Sequence, residues 1–231
     1  MIYDHTLKEP YAFFDEVPGK KFTNFNDVKT TIEDLTDKVC GKNKAIIDKP
    51  IILNVHSQNC PNLTLIDLPG LTRIAVGGQS SDIYEVTSKM IRRYMEDPSS
   101  VILCVVSANQ DITTDEVLFT ATQIDPKGER MIGCLTKIDL MDRGTDARSV
   151  LLNKCEVPLK LGYVGIKNRS QADIDAKKTV KDSLEDEKMF FSKSLIYSSL
   201  PPSCLGTKAL TDSLTKVLES NIVQFLPKLY E

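Results

Sequence analysis

Apolar runs of strand length alternate along this chain with segments whose apolar residues recur at helical spacing. Short continuous apolar runs are typical of strands buried on both faces of a parallel sheet, and a spacing of three or four is typical of helices packed on such a sheet. The alternation of the two patterns predicts β-α-β units. The predicted strands are residues 51–55, 63–66, 101–106, 131–135 and 163–167.

Polar residues that can accept hydrogen bonds from free helix N–H groups mark the predicted helix starts. The pairs are Asp82 with Glu85, Thr113 with Glu116, and Ser170 with Asp173, the last of which opens a charged helix running to about residue 188. A short helix is predicted over residues 27–39 in an otherwise irregular front end, and an amphipathic helix over residues 207–225, stopped by Pro227. The apolar stripe of that last helix either packs on its own domain, the usual case, or docks onto a neighbouring segment.

Composition narrows the class of protein without identifying it. The chain has 231 residues, of which 41% are hydrophobic and 26% charged, and its formal net charge is −3. That length suffices for one well-buried α/β domain, and the charge balance gives no reason to expect nucleic acid as a partner.

The cysteines and the apolar stretches indicate a compartment. Six cysteines lie far apart, with no Cys-x-x-Cys pair, so we expect no structural zinc site. Cys104 and Cys134 fall inside apolar runs and are predicted to be buried hydrophobes, which suits a reducing environment. The sequence has neither a signal-peptide-like apolar core nor a run of about 18 apolar residues, so we expect a cytoplasmic location.

The first motif is Leu63-Thr-Leu-Ile-Asp67-Leu-Pro-Gly70. An aspartate at the carboxyl end of a strand can hold a magnesium ion through water, which is the role we predict for Asp67. Gly70 has no side chain, so its N–H can approach a γ-phosphate and its backbone can move when that phosphate leaves. Taken alone, a strand followed by a Pro-Gly turn explains the motif about equally well.

The second motif is Thr136-Lys137-Ile138-Asp139, which follows the predicted strand 131–135. A carboxylate only accepts hydrogen bonds, so Asp139 can pair with the N1–H and 2-amino donors of guanine and repel the acceptor edge of adenine. Lys137 can lay its aliphatic stem along the purine, and Thr136 can tie the loop to neighbouring backbone. The motif therefore predicts a guanine-selective site.

Longer runs around these motifs resemble dynamin and dynamin-related proteins. They are Asp67-Leu-Pro-Gly-Leu-Thr-Arg73, Thr136-Lys-Ile-Asp-Leu-Met-Asp-Arg-Gly-Thr-Asp-Ala-Arg148 and Leu161-Gly-Tyr-Val-Gly-Ile-Lys-Asn-Arg-Ser-Gln171. The resemblance extends from about residue 11 to residue 230. It implies an α/β domain of the P-loop GTPase type, with three layers and a mainly parallel central sheet flanked by helices. That domain would span residues 1–226, with 227–231 starting the connection to a helical stalk.

The resemblance also implies which residues contact the nucleotide. Those surrounding guanine and ribose would be Thr136, Lys137, Asp139, Leu140, Met141, Asp142, Asn168, Arg169, Ser170 and Gln171. Outside this family, a solvated loop would be the ordinary interpretation of Arg169 and Gln171. Asp111 and Gln171 match positions at which two such domains meet, although Asp111 is equally consistent with a simple turn residue.

The family's activity is hydrolysis of GTP to GDP and phosphate with Mg²⁺. By resemblance the full-length parent would form homodimers and higher homo-oligomers and would act in membrane fission and vesicle trafficking. It would associate peripherally with membranes, and microtubules are a further candidate partner.

The phosphate-binding loop Gly-x-x-x-x-Gly-Lys-Ser/Thr occurs nowhere in the 231 residues. That loop supplies the N–H groups, the lysine and the magnesium-binding hydroxyl that hold the phosphates. We therefore expect a fold lacking its first strand, in a piece of a longer GTPase, with little or no turnover by itself. The alternative is a non-catalytic interaction module or pseudo-GTPase fragment.

Overall fold

The computed structural model describes residues 1–40, 46–58, 60, 62–71 and 81–225. Thr72 and Arg73, the end of the run Asp67–Arg73, lie outside the described residues, as do Pro227, the predicted helix stop, and the predicted connection 227–231. The chain divides into two compact units, Met1–Ile91 and Arg92–Glu231. Each unit contains a sheet of three strands.

The N-terminal unit is a small mixed sheet covered on one face by a helix. Its strands are β1 (Ile2–Tyr3), β2 (Tyr11–Phe14) and β3 (Leu53–Ser57), in the order β1-β3-β2, with β1 parallel and β2 antiparallel to β3. Helix α1 (Phe25–Cys40) confirms the helix predicted over 27–39. Alternate residues of β2 and one face of α1 meet in a core formed by Ala12, Phe14, Phe22, Val28 and Leu35.

The predicted strand 63–66 is wrong. Residues 62–71 have no regular secondary structure, and Leu65 and Ile66 are 68% and 48% exposed. Leu63 exchanges two backbone hydrogen bonds with Met1, at 3.1 and 2.7 Å, but no described strand lies beside residues 64–66. Because a strand is stabilised through its neighbours, the apolar sequence alone does not make one here.

The C-terminal unit contains the parallel sheet that the sequence predicted. Its strands are β4 (Ile102–Ser107), β5 (Met131–Thr136) and β6 (Tyr163–Gly165), all parallel, in the order β4-β5-β6. A parallel sheet flanked by helices confirms the α/β class, but the described strands form two sheets instead of one central sheet. Strands β5 and β6 are buried throughout, as the continuous apolar runs indicate, whereas β4 alternates and exposes Leu103 and Val105.

Six α-helices lie in the described chain after residue 81. They are α2 (Ile83–Met95), α3 (Glu116–Ile124), α4 (Arg148–Leu151), α5 (Gln171–Asp175), α6 (Val180–Lys193) and α7 (Gly206–Phe225). Helix α7 confirms the predicted last helix, and its residues Ala209, Leu210 and Leu214 pack against Ile132 of β5 and Val164 of β6. Over this half it therefore covers its own unit. No helix within the described ranges combines the length and the apolar composition needed to cross a bilayer.

Two of the predicted helix starts need correction. Thr113 does not cap α3, because it lies in a 3-10 helix (Ile112–Thr114) and Asp115 provides the cap by accepting hydrogen bonds from Val117 N and Leu118 N. The Ser170–Asp173 capping box is present, but α5 ends at Asp175 instead of continuing to residue 188. Lys177 then adopts a left-handed conformation with φ 55°, and Thr179 caps a separate helix, α6.

Candidate functional site

Three loops leave the parallel sheet of the C-terminal unit at the same edge. The strands β4, β5 and β6 are parallel, so their carboxyl ends lie side by side. The ladder continues one residue into the flanking loops, where Ala108 N donates to Thr136 O and Ile166 N donates to Leu135 O, each at 2.9 Å. Open α/β sheets bind ligands at this carboxyl edge. The loops are residues 108–115, 137–147 and 166–170.

The loop after β5 is anchored by its buried residues and presents its polar ones. The Thr136 hydroxyl donates to Val106 O at 3.1 Å, which confirms the expected tie to neighbouring backbone. Lys137 takes a left-handed conformation, φ 56°, and starts a 3-10 helix (Ile138–Leu140). Ile138 is buried, while Lys137 and Asp139 on either side of it are exposed. This arrangement anchors the loop through Thr136 and Ile138 and leaves the side chains of Lys137 and Asp139 exposed to solvent.

The acidic residues of this loop are available to a ligand. The Asp139 carboxylate is exposed and has no hydrogen-bond partner within the described part of the chain. Asp142 is also exposed, and its carbonyl accepts from Thr145 N at 3.1 Å and from the Thr145 hydroxyl at 2.9 Å. Leu140 is exposed, and Met141 is half-buried. The backbone around Asp142 is therefore fixed by a turn, and its carboxylate faces water.

The loops after β5 and β6 are neighbours in space. A Cβ added at Gly165 would lie 3.0 Å from Ile138 Cδ1 and 3.2 Å from Leu151 Cδ2. The side chain that anchors the Asp139 loop is thus packed directly over the end of β6. Since Asn168 follows three residues later, the two predicted base-contacting segments start from adjoining positions.

The predicted site residues after β6, Asn168 to Gln171, are all exposed, and three of them are held by local hydrogen bonds. Arg169 Nη1 donates to Lys178 O at 3.0 Å, and Gln171 Nε2 donates to Asp175 Oδ1 at 2.9 Å. The Ser170 hydroxyl and N–H both donate to the Asp173 carboxylate, which lowers the pKa of Asp173 below its usual range. Asn168 and Arg169 are exposed beside this capped turn, so the loop has a defined backbone and solvent-facing side chains.

Asp111 lies in the loop after β4, residues 108–115, and has a structural role there. Its carboxylate accepts from Thr113 N at 2.9 Å and from the Thr113 hydroxyl at 2.8 Å, and these bonds lower the pKa of Asp111. The structure thus shows the turn role that the sequence left open. A contact of Asp111 or Gln171 with a second copy stays a prediction.

Asp67 and Gly70 lie in the N-terminal unit, in the irregular segment 62–71, and both are exposed. Asp67 is therefore not at the end of a strand, contrary to the expectation from its apolar flank. A Cβ added at Gly70 would meet nothing within 4 Å. Among the described residues, no group of three or more His, Cys, Asp or Glu could hold a metal ion. The roles of Asp67 and Gly70 beside a bound nucleotide stay predictions.

Tyr197, which the sequence did not indicate as functional, holds the loop after β5, residues 137–147. Its hydroxyl accepts from Ala147 N at 3.2 Å and lies 3.6 Å from Met141 Sδ. Burial raises the pKa of this phenol. Tyr197 packs edge-on against Phe191 of α6 at a ring separation of 6.0 Å, so this aromatic pair supports the loop.

The sequence also indicated no role for Glu187, which holds the start of the loop after β6, residues 166–170. This buried residue of α6 accepts hydrogen bonds from Lys167 N and from Thr207. In the sequence it sits in the charged run Glu185-Asp186-Glu187-Lys188, which is typical of a solvated helix face. The available signal was its spacing of four from Phe191, which places both residues on the buried face of α6.

Comparison with known proteins identifies the family to which the chain belongs. The sequence model of the "Dynamin family" matches residues 4–138, and that of the "Dynamin central region" matches residues 146–231. The chain is 46% identical over 219 residues to Dynamin-related protein dnm1 of Schizosaccharomyces pombe, covering 95% of this chain and 28% of that protein. It is 43% identical over 221 residues to Dynamin-1-like protein of Danio rerio, covering 96% and 31%. With Dynamin-2 of Mus musculus the identity is 45% over 222 residues, covering 96% and 25%.

The chain thus spans between a quarter and a third of the length of these relatives. The first family match covers more than half of the chain. The chain belongs to the dynamin family.

Proposed function

We propose that the loops 137–147 and 166–171 recognise the guanine base of GTP and GDP, and that the chain acts as part of a dynamin-type GTPase. The observation that carries this proposal is the exposed Asp139 carboxylate at the carboxyl edge of the parallel sheet, beside the loop that follows β6. Family membership adds support, because the same residues stand in the runs that resemble dynamins.

Each residue of the proposed base site has a distinct chemical role. Asp139 accepts from the N1–H and 2-amino groups of guanine, and adenine lacks that pair of donors. Lys137 covers one face of the purine with its aliphatic stem. Asp142 adds a second acceptor, and Asn168 and Arg169 offer donors toward the base and ribose. Ser170 belongs to the same nucleotide-binding loop and holds its turn, because its hydroxyl and N–H donate to Asp173. Leu140, Met141 and Gln171 complete the surroundings of the nucleoside.

The phosphate side is proposed to include Asp67, Gly70 and Mg²⁺. Magnesium keeps several waters and binds through one or two carboxylates together with substrate phosphates, so a single exposed aspartate fits an ion that arrives with the nucleotide. Asp67 would orient one of those waters. The Gly70 N–H would face the γ-phosphate, because glycine has no side chain to prevent that approach.

Hydrolysis requires charge stabilisation at the phosphates, and the sequence contains no Gly-x-x-x-x-Gly-Lys-Ser/Thr motif. We therefore propose that the 231-residue chain binds guanine nucleotide weakly and turns it over little or not at all. The same observation favours the second candidate function, a non-catalytic interaction module that keeps the family's surface without hydrolysis.

The wider activity of the whole protein is proposed from the family. It comprises membrane fission or remodelling in vesicle trafficking, from a cytoplasmic pool with peripheral membrane association. Homodimers would form through Asp111 and Gln171 in their loops, higher homo-oligomers through further segments, and microtubules are a candidate contact. These proposals concern the longer protein, since the chain spans 25–31% of the relatives compared.

Titration of the purified chain with a fluorescent GTP analogue and Mg²⁺, followed by a phosphate-release assay, tests the proposal. We expect weak binding and no turnover with the chain, and tight binding with turnover once an upstream segment carrying the phosphate loop is supplied. Micromolar binding with turnover by the chain alone would contradict the role assigned to the missing loop. Failure of both proteins to prefer guanine over adenine nucleotides would contradict the base site.

A further inference from the structure

Glu187 is a buried acidic residue whose carboxylate joins two distant segments of the C-terminal unit. Its relative exposure is 4%. Oε1 accepts from Lys167 N at 2.9 Å and from the Thr207 hydroxyl at 3.0 Å, and Oε2 accepts from Thr207 N at 2.8 Å. Burial of a carboxylate is unfavourable unless donors satisfy its oxygens, and three donors do so here. Lys167 and Thr207 each lie 20 residues from Glu187 in sequence.

The first partner stands where the chain leaves the parallel sheet. Ile166 N donates to Leu135 O at 2.9 Å and is the last residue of this segment to bond the β5 backbone. The next N–H, that of Lys167, turns to Glu187 instead. The carboxylate therefore defines the point at which the loop 168–171 begins.

The second partner is the first turn of α7. Gly206 has a φ of 88°, a left-handed conformation that brings the chain into the helix. The first N–H groups of a helix have no partner within it, and Thr207 directs its N–H and its hydroxyl to Glu187. A negative charge at this end of the helix is also favoured by the helix dipole. A Cβ on Gly206 would lie 3.4 Å from Oε2, so the approach is close.

We propose that Glu187 is a positioning residue that couples the loop 168–171 to the start of α7. Ordering of the loop by a bound guanine nucleotide fixes Lys167 N, which fixes the carboxylate, which in turn stabilises the first turn of the helix. This inference rests on the proposed guanine site. It goes beyond that site because it assigns α7 as the element that responds to occupancy.

Amide hydrogen exchange of the full 231-residue chain, resolved by peptide mass spectrometry, tests the coupling in two arms. The first arm has no ligand and compares wild type with Glu187→Gln, which keeps the shape of the side chain but replaces one acceptor oxygen with a donor. Exchange in segments 166–171 and 206–210 should accelerate together by about tenfold or more, the effect of losing a hydrogen bond to a charged group. Peptides from β4 and β5 should not change, which separates this effect from general unfolding.

Two further variants sharpen the first arm. Thr207→Val removes only the hydroxyl donor and should accelerate segment 206–210 and, through Glu187, segment 166–171, each by a smaller factor. Glu185→Gln neutralises an exposed carboxylate on the same helix and should change neither segment. If Glu187→Gln fails to fold, Thr207→Val still decides the question, since unchanged exchange at segment 166–171 in that variant would overturn the coupling.

The second arm adds millimolar GDP with Mg²⁺. Wild type should gain protection in the loops 137–142 and 166–171 and also in 206–210, and Glu187→Gln should lose the protection in 206–210 while retaining that in 137–142. Protection of the loops with no change in α7 would overturn this inference and leave the proposed guanine site standing. Absence of protection in both loops would instead contradict the proposed function, and the first arm would still report on the Glu187 link.

Discussion

Gly133 allows the ring of Tyr163 to lie directly against β5. A Cβ at this position would fall 2.0 Å from Tyr163 Cδ1 and 2.3 Å from Cε1. The ring has little freedom to move away, because the Tyr163 hydroxyl donates to Val157 O at 2.6 Å and the residue is 2% exposed. Side-chain size at residue 133 is therefore set by its neighbour on β6.

Substitution of Gly133 by alanine should lower the free energy of unfolding. We expect a loss of about 1–3 kcal/mol, the usual cost of an added group in a packed core. Urea denaturation followed by circular dichroism measures it. Gly70→Ala serves as the control, because a Cβ there meets nothing within 4 Å and should change stability little. Equal effects of the two substitutions would contradict the packing described at β5.

Residue chemistry was predictable where it depends on local order and obscure where it depends on distant partners. Thr136, Lys137 and Asp139 follow an apolar run, and the run alone indicated a strand end. Glu187 differs, because its partners lie 20 residues away in both directions and its sequence neighbours are charged. A charged run gives no sign that one of its members is buried.

Helix α3 depends on a single acidic residue at its start. The Asp115 carboxylate accepts from Val117 N and Leu118 N, both at 3.0 Å, and so satisfies two N–H groups that the helix cannot. The sequence favoured Thr113, two residues earlier, because Glu116 follows it at the spacing of a capping pair. The 3-10 turn capped by Asp111 takes up those two residues and moves the helix start.

Removal of this cap should destabilise the C-terminal unit. Asp115→Ala should reduce the free energy of unfolding by about 1 kcal/mol, within the range found for such caps. Asp115→Asn keeps an acceptor oxygen and should reduce it by less. The comparison uses thermal or urea unfolding of the two variants beside wild type. If alanine and asparagine were equivalent, the cap would not be the stabilising contact.

The buried thiols of β4 and β5 link stability to alkaline pH. Burial raises the pKa of Cys104 to about 12, and burial together with the charge of Glu187 raises the pKa of Cys134 to about 12. Each thiol titrates near 8.5 in an unfolded chain. A raised folded pKa gives stability that is complete below the unfolded pKa and is lost as pH rises toward the folded value.

The free energy of unfolding should therefore fall as pH rises from about 9 toward 12, by up to about 1.4 kcal/mol per pH unit for each thiol. Urea midpoints measured across this window test it. The double variant Cys104→Ala, Cys134→Ala should show a shallower dependence, whatever its stability at neutral pH. An identical slope in wild type and variant would show that these thiols do not contribute.

Strands were predictable from the sequence only where a neighbouring strand is present to pair with the apolar run. The runs at 101–106 and 131–135 became strands because neighbouring strands pair with them along their whole length. The run at 63–66 is also apolar, yet its hydrogen bonds within the described ranges go only to Met1, and it forms no strand. Periodicity reports the tendency to pair, and the partner decides the outcome.

At the scale of the whole molecule, the proposed base site belongs to one of the two units. All the residues predicted to surround guanine lie between positions 136 and 171, within Arg92–Glu231. Local patterns predicted the class of fold and the order of its elements, but they do not state which strands share a sheet. The described strands accordingly form two sheets, which the patterns did not indicate, and the roles of Asp67 beside the phosphates and of Asp139 beside the base stay predictions.

Base selectivity of the 231-residue chain tests the central claim most directly. Saturation-transfer NMR detects weakly bound ligands, so it does not require tight phosphate binding. It can compare the binding of GDP, xanthosine diphosphate (XDP) and ADP to wild type and to Asp139→Asn. Wild type should transfer saturation to GDP far more than to ADP. The variant exchanges an acceptor for a donor and should prefer XDP, whose 2-oxo group accepts, with a change of about 1–3 kcal/mol in relative binding. An unchanged preference for GDP in Asp139→Asn, or equal signals from GDP and ADP in wild type, would contradict the assignment of Asp139 as the residue that reads guanine.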